Sequence, residues 1–398
     1  MIAANKTTVL SVTSFALLLT GGLLFAGPLN PPAGPVASTY KTLAEVEPRT
    51  AINLSNTPGD ADSLFKITQP GSYYLTGNIL GVAGKHGIEI VASGVTIDLN
   101  GFNLAGIAGM GAFDGVAVSV VGLTNLAVFN GSVRNWGDDG VDLASFSPHS
   151  SRVSNVVTCD NAGDGIRVPS ASTVSHCTAY SNGGIGIVVA SGAISDCAVH
   201  ANAGNGINIG SGATAINCSS FDNGGIGLNA GIGSSLANCS VTGNTLGGIN
   251  TSSGSTVTDC SAYTNELFGI TVSSGCTVSG CTARANFADG IICTTACTIR
   301  NNTCSSNGDG GDGAGIEATG SDNRIEGNNC SGADRGLDID SAGNFITRNT
   351  CTGNINNFAI SAPGNVCFVV QAITGGLIVG NSGGVPPGST DPNANFSY

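Results

Sequence analysis

Residues 260–280 read CSAYTNELFGITVSSGCTVSG, and this stretch is one period of the repeat that decides the fold. Its first cysteine recurs 20 or 21 residues apart, at Cys177, Cys197, Cys218, Cys239, Cys260 and Cys281. An asparagine follows each cysteine by five residues, at Asn182, Asn202, Asn223, Asn244, Asn265 and Asn286. A glycine comes four residues later and is followed at once by an aliphatic residue, as in Gly269-Ile270. A fixed period of this length predicts stacked repeats rather than a conventional globular domain.

Each period offers about three short strands. Within residues 260–280, Ile270 and Val272 alternate with polar neighbours, as do Cys276 and Val278. Strands this short must pair in parallel with the equivalent strand one coil away, ~4.8 Å distant. Glycine and asparagine at the corners tolerate positive φ, and stacked asparagines can bond their amides along the axis. The sequence therefore predicts an all-β protein, a right-handed parallel β-helix with about three short strands per coil of about 21 residues.

The chain resembles the exported right-handed β-helix repeat proteins that have a pectate-lyase-like fold, over roughly residues 60–370. The resemblance rests on Asn-x-x-x-Gly-Ile motifs such as Asn265-Glu-Leu-Phe-Gly-Ile270, and on late Ile-x-x-Asn-x-Cys motifs such as Ile325…Asn328…Cys330. That family includes lyases, hydrolases, epimerases and adhesins. The resemblance therefore implies the fold and an exported setting, while the chemistry stays open.

Composition narrows the class of partner. The net charge is −13, only 10% of residues are charged, and no lysine follows Lys85. Nucleic acid is not expected as a partner, because phosphate binding needs a basic stripe. A polysaccharide or cell-surface glycan, or a metal ion such as Ca²⁺, suits this surface better. The sequence does not indicate an oligomeric state.

The segments outside the repeat suggest an exported chain with capped ends. Residues 1–26 have a basic start and an apolar run, which is typical of a signal peptide; an uncleaved N-terminal anchor is the alternative. Residues 27–59 are interpreted as a linker and N-terminal cap, residues 60–370 as the β-helix and residues 371–398 as a C-terminal cap or tail. No transmembrane domain is expected after signal removal, and the protein is expected outside the cell, at its surface or in the periplasm.

Ten of the fourteen cysteines fit one inward column, namely 159, 177, 197, 218, 239, 260, 281, 304, 330 and 351. Many cysteines in an exported chain usually suggest disulfides. One cysteine per coil at the same inward position instead favours buried, mainly reduced thiols that pack as small hydrophobes. If one bridge exists, it is expected to join Cys276 to Cys297, which should point inward in neighbouring coils.

The early coils contain the candidate chemistry. The residue before the corner glycine is His86, Asp114, Asp139 and then Asp164, and these residues should stack along one edge. Stacked carboxylates repel, take up protons or hold a cation, so Asp114, Asp139 and Asp164 are candidate Ca²⁺ ligands. The alternative is that Asp-Gly is simply a favoured turn pair.

Catalytic roles at this edge are assigned to Asp139, Asp164, Asp142 and Arg167. Two residues past the glycine come Glu89, Ala117, Asp142 and Arg167, which should face solvent. By analogy with pectate-lyase-like enzymes, Arg167 is the only aligned group that could take the α-proton of a uronic acid. Trp136 lies near this edge in the sequence and is a candidate sugar-binding residue.

An outward column three residues past the cysteine consists of Tyr180, His200, Phe221, Thr242, Tyr263 and Arg284. Such groups could lie against sugar rings, or they could simply pair across strands and strengthen the sheet. Two functions therefore stay open. The first is a non-catalytic protein that binds or lies against polysaccharide. The second is a polysaccharide lyase or related carbohydrate-active enzyme, such as a glycoside hydrolase, that uses the acidic edge.

Overall fold

The computed structural model describes residues 47–144, 150–308, 311–371, 377–380 and 392–398. The chain divides into two units, Met1–Pro48 and Arg49–Tyr398. The predicted signal peptide and much of the predicted linker lie outside the described residues. The described part of the chain is made of strands and turns without a helix, so it holds no helix that could cross a membrane.

The strands of the second unit belong to one continuous sheet that winds through three faces. A coil contributes one strand segment to each face, and equivalent segments of successive coils pair in parallel, for example Ile249 with Ile270 and Ile270 with Ile291. The predicted parallel β-helix is confirmed. Four longer strands run through a corner and serve two faces; they are β9 (Ala127–Arg134), β11 (Arg152–Cys159), β12 (Ile166–Ser175) and β14 (Ile187–Ser195).

The first face gathers the strands that contain the repeat aliphatic. They are β2 (Ser63–Ile67), β5 (His86–Ile90), β8 (Val116–Val118), β10 (Val141–Asp142), the starts of β12 and β14, β16 (Ile207–Ile209), β19 (Ile226–Ala230), β22 (Gly247–Thr251), β25 (Ile270–Val272), β28 (Ile291–Cys293), β31 (Ala314–Ala318), β34 (Arg335–Ile339), β37 (Asn356–Ile360) and β40 (Leu377–Gly380). Their inward residues, such as Ile270, are buried.

The second face precedes the repeat cysteine. Its strands are β1 (Thr50–Ala51), β3 (Gly71–Tyr74), β6 (Val95–Asp98), the starts of β9 and β11, the ends of β12 and β14, β17 (Thr214–Ile216), β20 (Ser235–Ala237), β23 (Thr256–Thr258), β26 (Thr277–Ser279), β29 (Thr298–Arg300), β32 (Arg324–Glu326), β35 (Phe345–Thr347) and β38 (Val366–Cys367).

The third face follows the repeat cysteine. Its strands are β4 (Ile79–Leu80), β7 (Asn103–Ala105), the ends of β9 and β11, β13 (Thr178–Tyr180), β15 (Ala198–His200), β18 (Ser219–Phe221), β21 (Ser240–Thr242), β24 (Ser261–Tyr263), β27 (Thr282–Arg284), β30 (Thr303–Ser305), β33 (Asn329–Ser331), β36 (Thr350–Thr352), β39 (Val369–Gln371) and β41 (Asn395–Ser397). Strand β41 pairs with both β36 and β39, so residues near the C-terminus complete this face.

The repeat glycine is required by space and not, as predicted, by positive φ. A Cβ on Gly227 would lie 2.1 Å from Cγ1 of Val241 and 2.6 Å from Nδ2 of Asn244. Left-handed residues occur instead just before the cysteine and just before the asparagine, as at Asp259 (φ 53°) and Thr264 (φ 49°). The repeat glycine therefore lets the next coil approach closely, while neighbouring residues turn the corners.

The predicted asparagine ladder is confirmed. Eight buried side chains form it, and each Nδ2 donates to the Oδ1 of the next at 2.9–3.0 Å; they are Asn161, Asn182, Asn202, Asn223, Asn244, Asn265, Asn286 and Asn307. Each acceptor oxygen also takes a backbone N–H, as from Asn223 to Asn244 at 3.1 Å. The ladder therefore satisfies polar groups in an interior that water does not reach.

The single column of ten cysteines is wrong. The six cysteines from Cys177 to Cys281 do stack, but Cys304 pairs with Ala283, in the adjacent column, and continues to Cys330 and Cys351. Below Cys281 lies Asn302, whose Oδ1 accepts the Cys281 backbone N–H. At the other end, Cys159 pairs with Arg134 and Tyr180. The spacing of the cysteines in the sequence does not show that they change from one column to the next.

All fourteen cysteines are buried free thiols, as the single inward position favoured, and Cys276 and Cys297, the pair expected if one bridge exists, are not joined. The two residues do lie in neighbouring coils, because the N–H of Thr298 bonds to the carbonyl of Cys276. Each thiol instead donates to a backbone carbonyl, Cys276 to Ser252 at 3.3 Å and Cys297 to Ser273 at 3.0 Å. These bonds satisfy both thiols without a covalent link.

Candidate functional site

The predicted acidic edge exists, and its members are joined through the backbone. The N–H of Asp114 donates to Nδ1 of His86 at 2.9 Å, and the N–H of Asp139 donates to Oδ1 of Asp114 at 2.9 Å. The N–H of Asp164 donates to Oδ1 of Asp139 at 2.5 Å, and the N–H of Ile185 continues to Oδ1 of Asp164 at 2.6 Å. One oxygen of each carboxyl group is therefore engaged in stacking the coils.

The outward column beside this edge has the predicted register, but most of it is not exposed. Glu89, Ala117, Asp142 and Arg167 pair in order along the first face. Glu89 is only 2% exposed, with Ser119 Oγ and, at 2.9 Å, Lys66 Nζ on its carboxylate. Asp142 is 4% exposed and accepts the N–H of Ala144 at 2.7 Å. Of the four, only Arg167 keeps a substantially exposed side chain, at 43%.

Carboxyl groups outnumber cations at this edge. The guanidinium of Arg167 lies 3.5 Å from Oδ2 of Asp139 and 3.6 Å from Oδ2 of Asp164. Burial raises the pKa of Asp114 to about 8 and that of Asp139 to about 7, and it raises the pKa of Asp164 as well. Asp114 and Asp139 therefore titrate near neutral pH, where ordinary aspartates are fully ionised.

The electrostatics disfavour Arg167 as a base. Burial alone would lower the pKa of its guanidinium, but the surrounding Asp142, Asp139 and Asp164 raise it above the ordinary value. A group this firmly protonated does not accept a proton. Arg167 is better placed to bind an anionic group of a ligand.

The carboxylates that could share a cation differ from the predicted set. Oxygens of Asp114, Asp138 and Asp139 lie within 4.8 Å of one another. Asp164 is not in this group, because its carboxylate faces Ile185 N and Arg167. Three carboxylates of this kind fit a hard cation such as Ca²⁺, which prefers oxygen ligands. The Asp138-Asp139 pair in the sequence was the signal for the added residue.

Trp136 is a core residue and not a sugar-binding residue. It is 1% exposed, and its Nε1 donates to the carbonyl of Leu104 at 3.1 Å. Its ring fills the space beside Gly81 and Gly87, where added Cβ atoms would lie 2.9 and 2.8 Å from it. The prediction failed because a large aromatic residue near an acidic edge can serve either the surface or the interior.

The outward aromatic column has the predicted register. Its rings, however, stack on one another: Tyr180 and His200 are 5.2 Å apart and 4° from parallel, and His200 and Phe221 are 4.6 Å apart and 10° from parallel. Arg284 lies 6.0 Å over the ring of Tyr263. The faces of the His200 ring are thus covered by its neighbours. Glycan contact through this column stays a prediction, and the geometry matches the alternative of cross-strand pairing.

A polar column that sequence reasoning missed runs down the middle of the first face. Asn208, Asn229 and Asn250 pair with one another in consecutive coils and point outward. Asn208 Oδ1 accepts from Asn205 at 2.9 Å, and Asn229 Oδ1 accepts from Asn250 at 2.8 Å. Among the described residues, no partner meets Nδ2 of Asn208, Nδ2 of Asn229 or Oδ1 of Asn250. The signal was the asparagine that directly follows the repeat aliphatic in three coils.

Comparison with known proteins agrees with this architecture. Residues 169–304 match the family model of the right-handed beta helix region. The chain has the right-handed parallel β-helix fold. A search of curated proteins found no match.

Several solved structures are similar to this β-helix. The A-module of the Azotobacter vinelandii mannuronan C-5 epimerase AlgE6 is 14% identical, with a TM-score of 0.46 over 81% of this chain and 92% of that one. The bacteriophage CBA120 tailspike protein 3 is 12% identical, with a TM-score of 0.47 over 93% and 71% of the two chains. The pectate lyase Pel9A is 19% identical, with a TM-score of 0.38 over 76% and 74%.

Proposed function

We propose that this β-helix is exported and binds a polysaccharide along its first face without cleaving it. The observation that carries the proposal is the outward column of Asn208, Asn229 and Asn250. It presents free amide groups at the coil spacing of ~4.8 Å. A surface that repeats along one direction suits a ligand that repeats in the same direction, because successive units can make the same contact.

The surroundings of the asparagine column support a sugar ligand. Amides that both donate and accept match sugar hydroxyls, which do the same. Phe268 lies at the edge of this face, and its ring packs over Gly247, where an added Cβ would be 2.6 Å away. An apolar ring beside polar side chains is a common composition for ligand sites.

The test compares two triple variants. Asn208→Ala, Asn229→Ala and Asn250→Ala together remove the column, while Thr214→Ala, Ser235→Ala and Thr256→Ala change the second face of the same coils. Affinity electrophoresis against a panel of acidic and neutral polysaccharides should show weaker retention for the first variant only. Equal retention of both variants and the unchanged protein on every retaining polysaccharide would contradict the proposal.

A second candidate function, a carbohydrate-active enzyme, is favoured by the pKa values of the acidic edge. Asp114 and Asp139, with pKa values of about 8 and 7, can hold a proton near neutral pH and donate it. Arg167 could bind the carboxylate of a uronic acid. Alternatively, Ca²⁺ held by Asp114, Asp138 and Asp139 in their ionised form could act as a Lewis acid.

Turnover assays separate this candidate from simple binding. Uronate polymers are incubated with the protein, with and without Ca²⁺, and the products are examined for new reducing ends and unsaturated sugars. If the edge is catalytic, Asp139→Asn abolishes product, while Asp222→Asn, at an exposed aspartate in a distant coil, leaves it unchanged. If no substrate yields product, the catalytic candidate is contradicted and only the binding function remains.

A further inference from the structure

A groove separate from both sites above lies on the second face of the early coils. Its volume is about 440 Å³. Outward residues of four consecutive coils line one side, and they pair in the order Thr96, Ala127, Arg152 and Thr173. The residues two positions earlier also line the groove, and they are Gly94, Asn125, Ser150 and Ala171.

The local backbone explains why a depression forms here. Gly94, Asn125, Ser150 and Ala171 have φ values between 58° and 70°, so each coil turns sharply before it enters the second face. The pairing of β12 with β14 is irregular between Ser170 and Ser172, so Ala171 is an extra residue in a bulge at this end of the groove. Ala127 is the smallest residue of the outward column and leaves space between Thr96 and Arg152. The groove is therefore a product of the coil register and one small side chain.

Arg152 is the only charged residue among the described residues that line the groove. Its side chain is exposed, and its guanidinium makes no hydrogen bond, ion pair or ring contact with any described residue. By contrast, Arg49 is ion-paired to Asp98 at 2.6 Å, and Arg167 is surrounded by carboxylates. The guanidinium of Arg152 is therefore available to a ligand in the groove. Guanidinium groups bind carboxylates with two parallel hydrogen bonds.

The other polar groups of the groove suit a hydroxylated ligand. The side chains of Thr96, Thr173 and Asn125 have no hydrogen-bond partner among the described residues, so their donors and acceptors face the groove or solvent. A volume of 440 Å³ lies within the range of small-ligand sites. The combination of one cation and several neutral polar groups fits a sugar that bears one carboxylate in each binding unit.

We propose that this groove binds an acidic sugar, with Arg152 holding its carboxylate and Thr96, Thr173 and Asn125 bonding its hydroxyls. The site goes beyond the proposed first-face function, because it lies on another face and uses none of the same residues. It gives the protein a second contact that selects for charged glycans.

The experiment measures binding of digalacturonate by isothermal titration calorimetry, with the methyl-esterified disaccharide as the uncharged match. The Arg152→Gln variant should bind digalacturonate about tenfold more weakly or worse, since a charge-assisted hydrogen-bond pair is lost. The control is Arg134→Gln, which removes another exposed arginine, on the third face of the same region. It should bind like the unchanged protein.

A second variant, Ala127→Leu, fills the groove without changing charge and should also weaken binding. Thermal melting of each variant shows whether it is folded. Equal losses from Arg152→Gln and Arg134→Gln would indicate a general charge effect and overturn the proposal, as would no binding by the unchanged protein. The triple asparagine variant should keep its affinity for digalacturonate, so failure of the first-face proposal is seen separately.

Discussion

The early coils and the repeat coils both stack in parallel, but different residues join one coil to the next. Along the acidic edge, neighbouring coils from His86 to Asp164 are 28, 25 and 25 residues apart, whereas the next step is 21. Longer coils leave room for extra charged groups outside and for large side chains inside. Shorter coils of nearly constant length place equivalent residues directly in line, both in the interior ladder and in the outward asparagine column.

The change between the two regions occurs at one place in the interior. The backbone N–H of Trp136 donates to Oδ1 of Asn161 at 3.1 Å, so Trp136 occupies the position one coil before the first asparagine of the ladder. Above this level the core is filled by apolar side chains, and below it columns of asparagine and cysteine join the aliphatic residues. Stability of the repeat coils should therefore depend on close approach and internal hydrogen bonds as well as on apolar burial, and the titratable candidate site lies in the early coils.

The largest expected effect on stability is found by comparing two glycines of one repeat coil. Gly227→Ala should lower the free energy of unfolding by about 3 kcal/mol, because its Cβ would overlap Val241 and Asn244. Gly233→Ala meets no atom within 4 Å and has φ 67°, so it should cost only about 1 kcal/mol. Urea unfolding of both variants checks the difference. Equal losses would mean that close approach does not distinguish the repeat glycine.

The next effect separates the interior ladder from the outward asparagines. Asn223→Ala should cost about 2 kcal/mol, since it leaves the N–H of Asn202 and the amide donor of its ladder bond without their acceptor. Asn229→Ala, on the outward side of the same coil, should change the free energy of unfolding by less than about 0.5 kcal/mol. Urea unfolding again measures both values. A stable Asn223→Ala variant would show that the repeat coils do not rely on the ladder.

The repeat region was predictable because each coil repeats the same physical constraints. The period of Cys260 and Asn265, and the alternation around Ile270, were enough to predict parallel stacking and the asparagine ladder. The shift from the Cys281 column to the Cys304 column was not predictable, since residue spacing does not show which residue pairs with which. The role of the repeat glycine was misjudged for a related reason, because a close contact with the next coil is a property of the stack.

The candidate site was predictable only as a line of residues. The stacking of Asp114 on Asp139 followed from the corner glycines. The burial of Glu89 did not, because it depends on Lys66, Ser119 and other residues that the longer coils bring over the face. The core position of the tryptophan was hidden for the same reason. In irregular coils, the sequence therefore does not predict which way the side chains of the candidate site point.

A smaller effect tests whether the raised pKa of Asp114 makes the stability of the folded protein depend on pH. The pKa of Asp114 is raised by burial to about 8, so the folded state holds a proton that the unfolded state releases. Stability should fall as the pH rises from about 4 to about 8. The amide introduced by Asp114→Asn does not titrate, so the melting temperature of this variant should fall less over the same range. Asp139 keeps part of the dependence, and identical profiles for the variant and the unchanged protein would contradict the assignment.

The smallest effect concerns the aromatic stack on the third face of the repeat coils. His200→Ala removes two ring contacts and should lower the free energy of unfolding by about 1 kcal/mol. Retention on polysaccharide should not change, because the ring faces are covered by Tyr180 and Phe221 and offer no platform to a sugar. Tyr263→Ala is the control, since this residue is 43% exposed and its ring has only Arg284 over it among the described residues. If His200→Ala weakens retention while its melting temperature is unchanged, the stack belongs to the binding surface. The third face would then contribute to binding beside the first-face asparagine column.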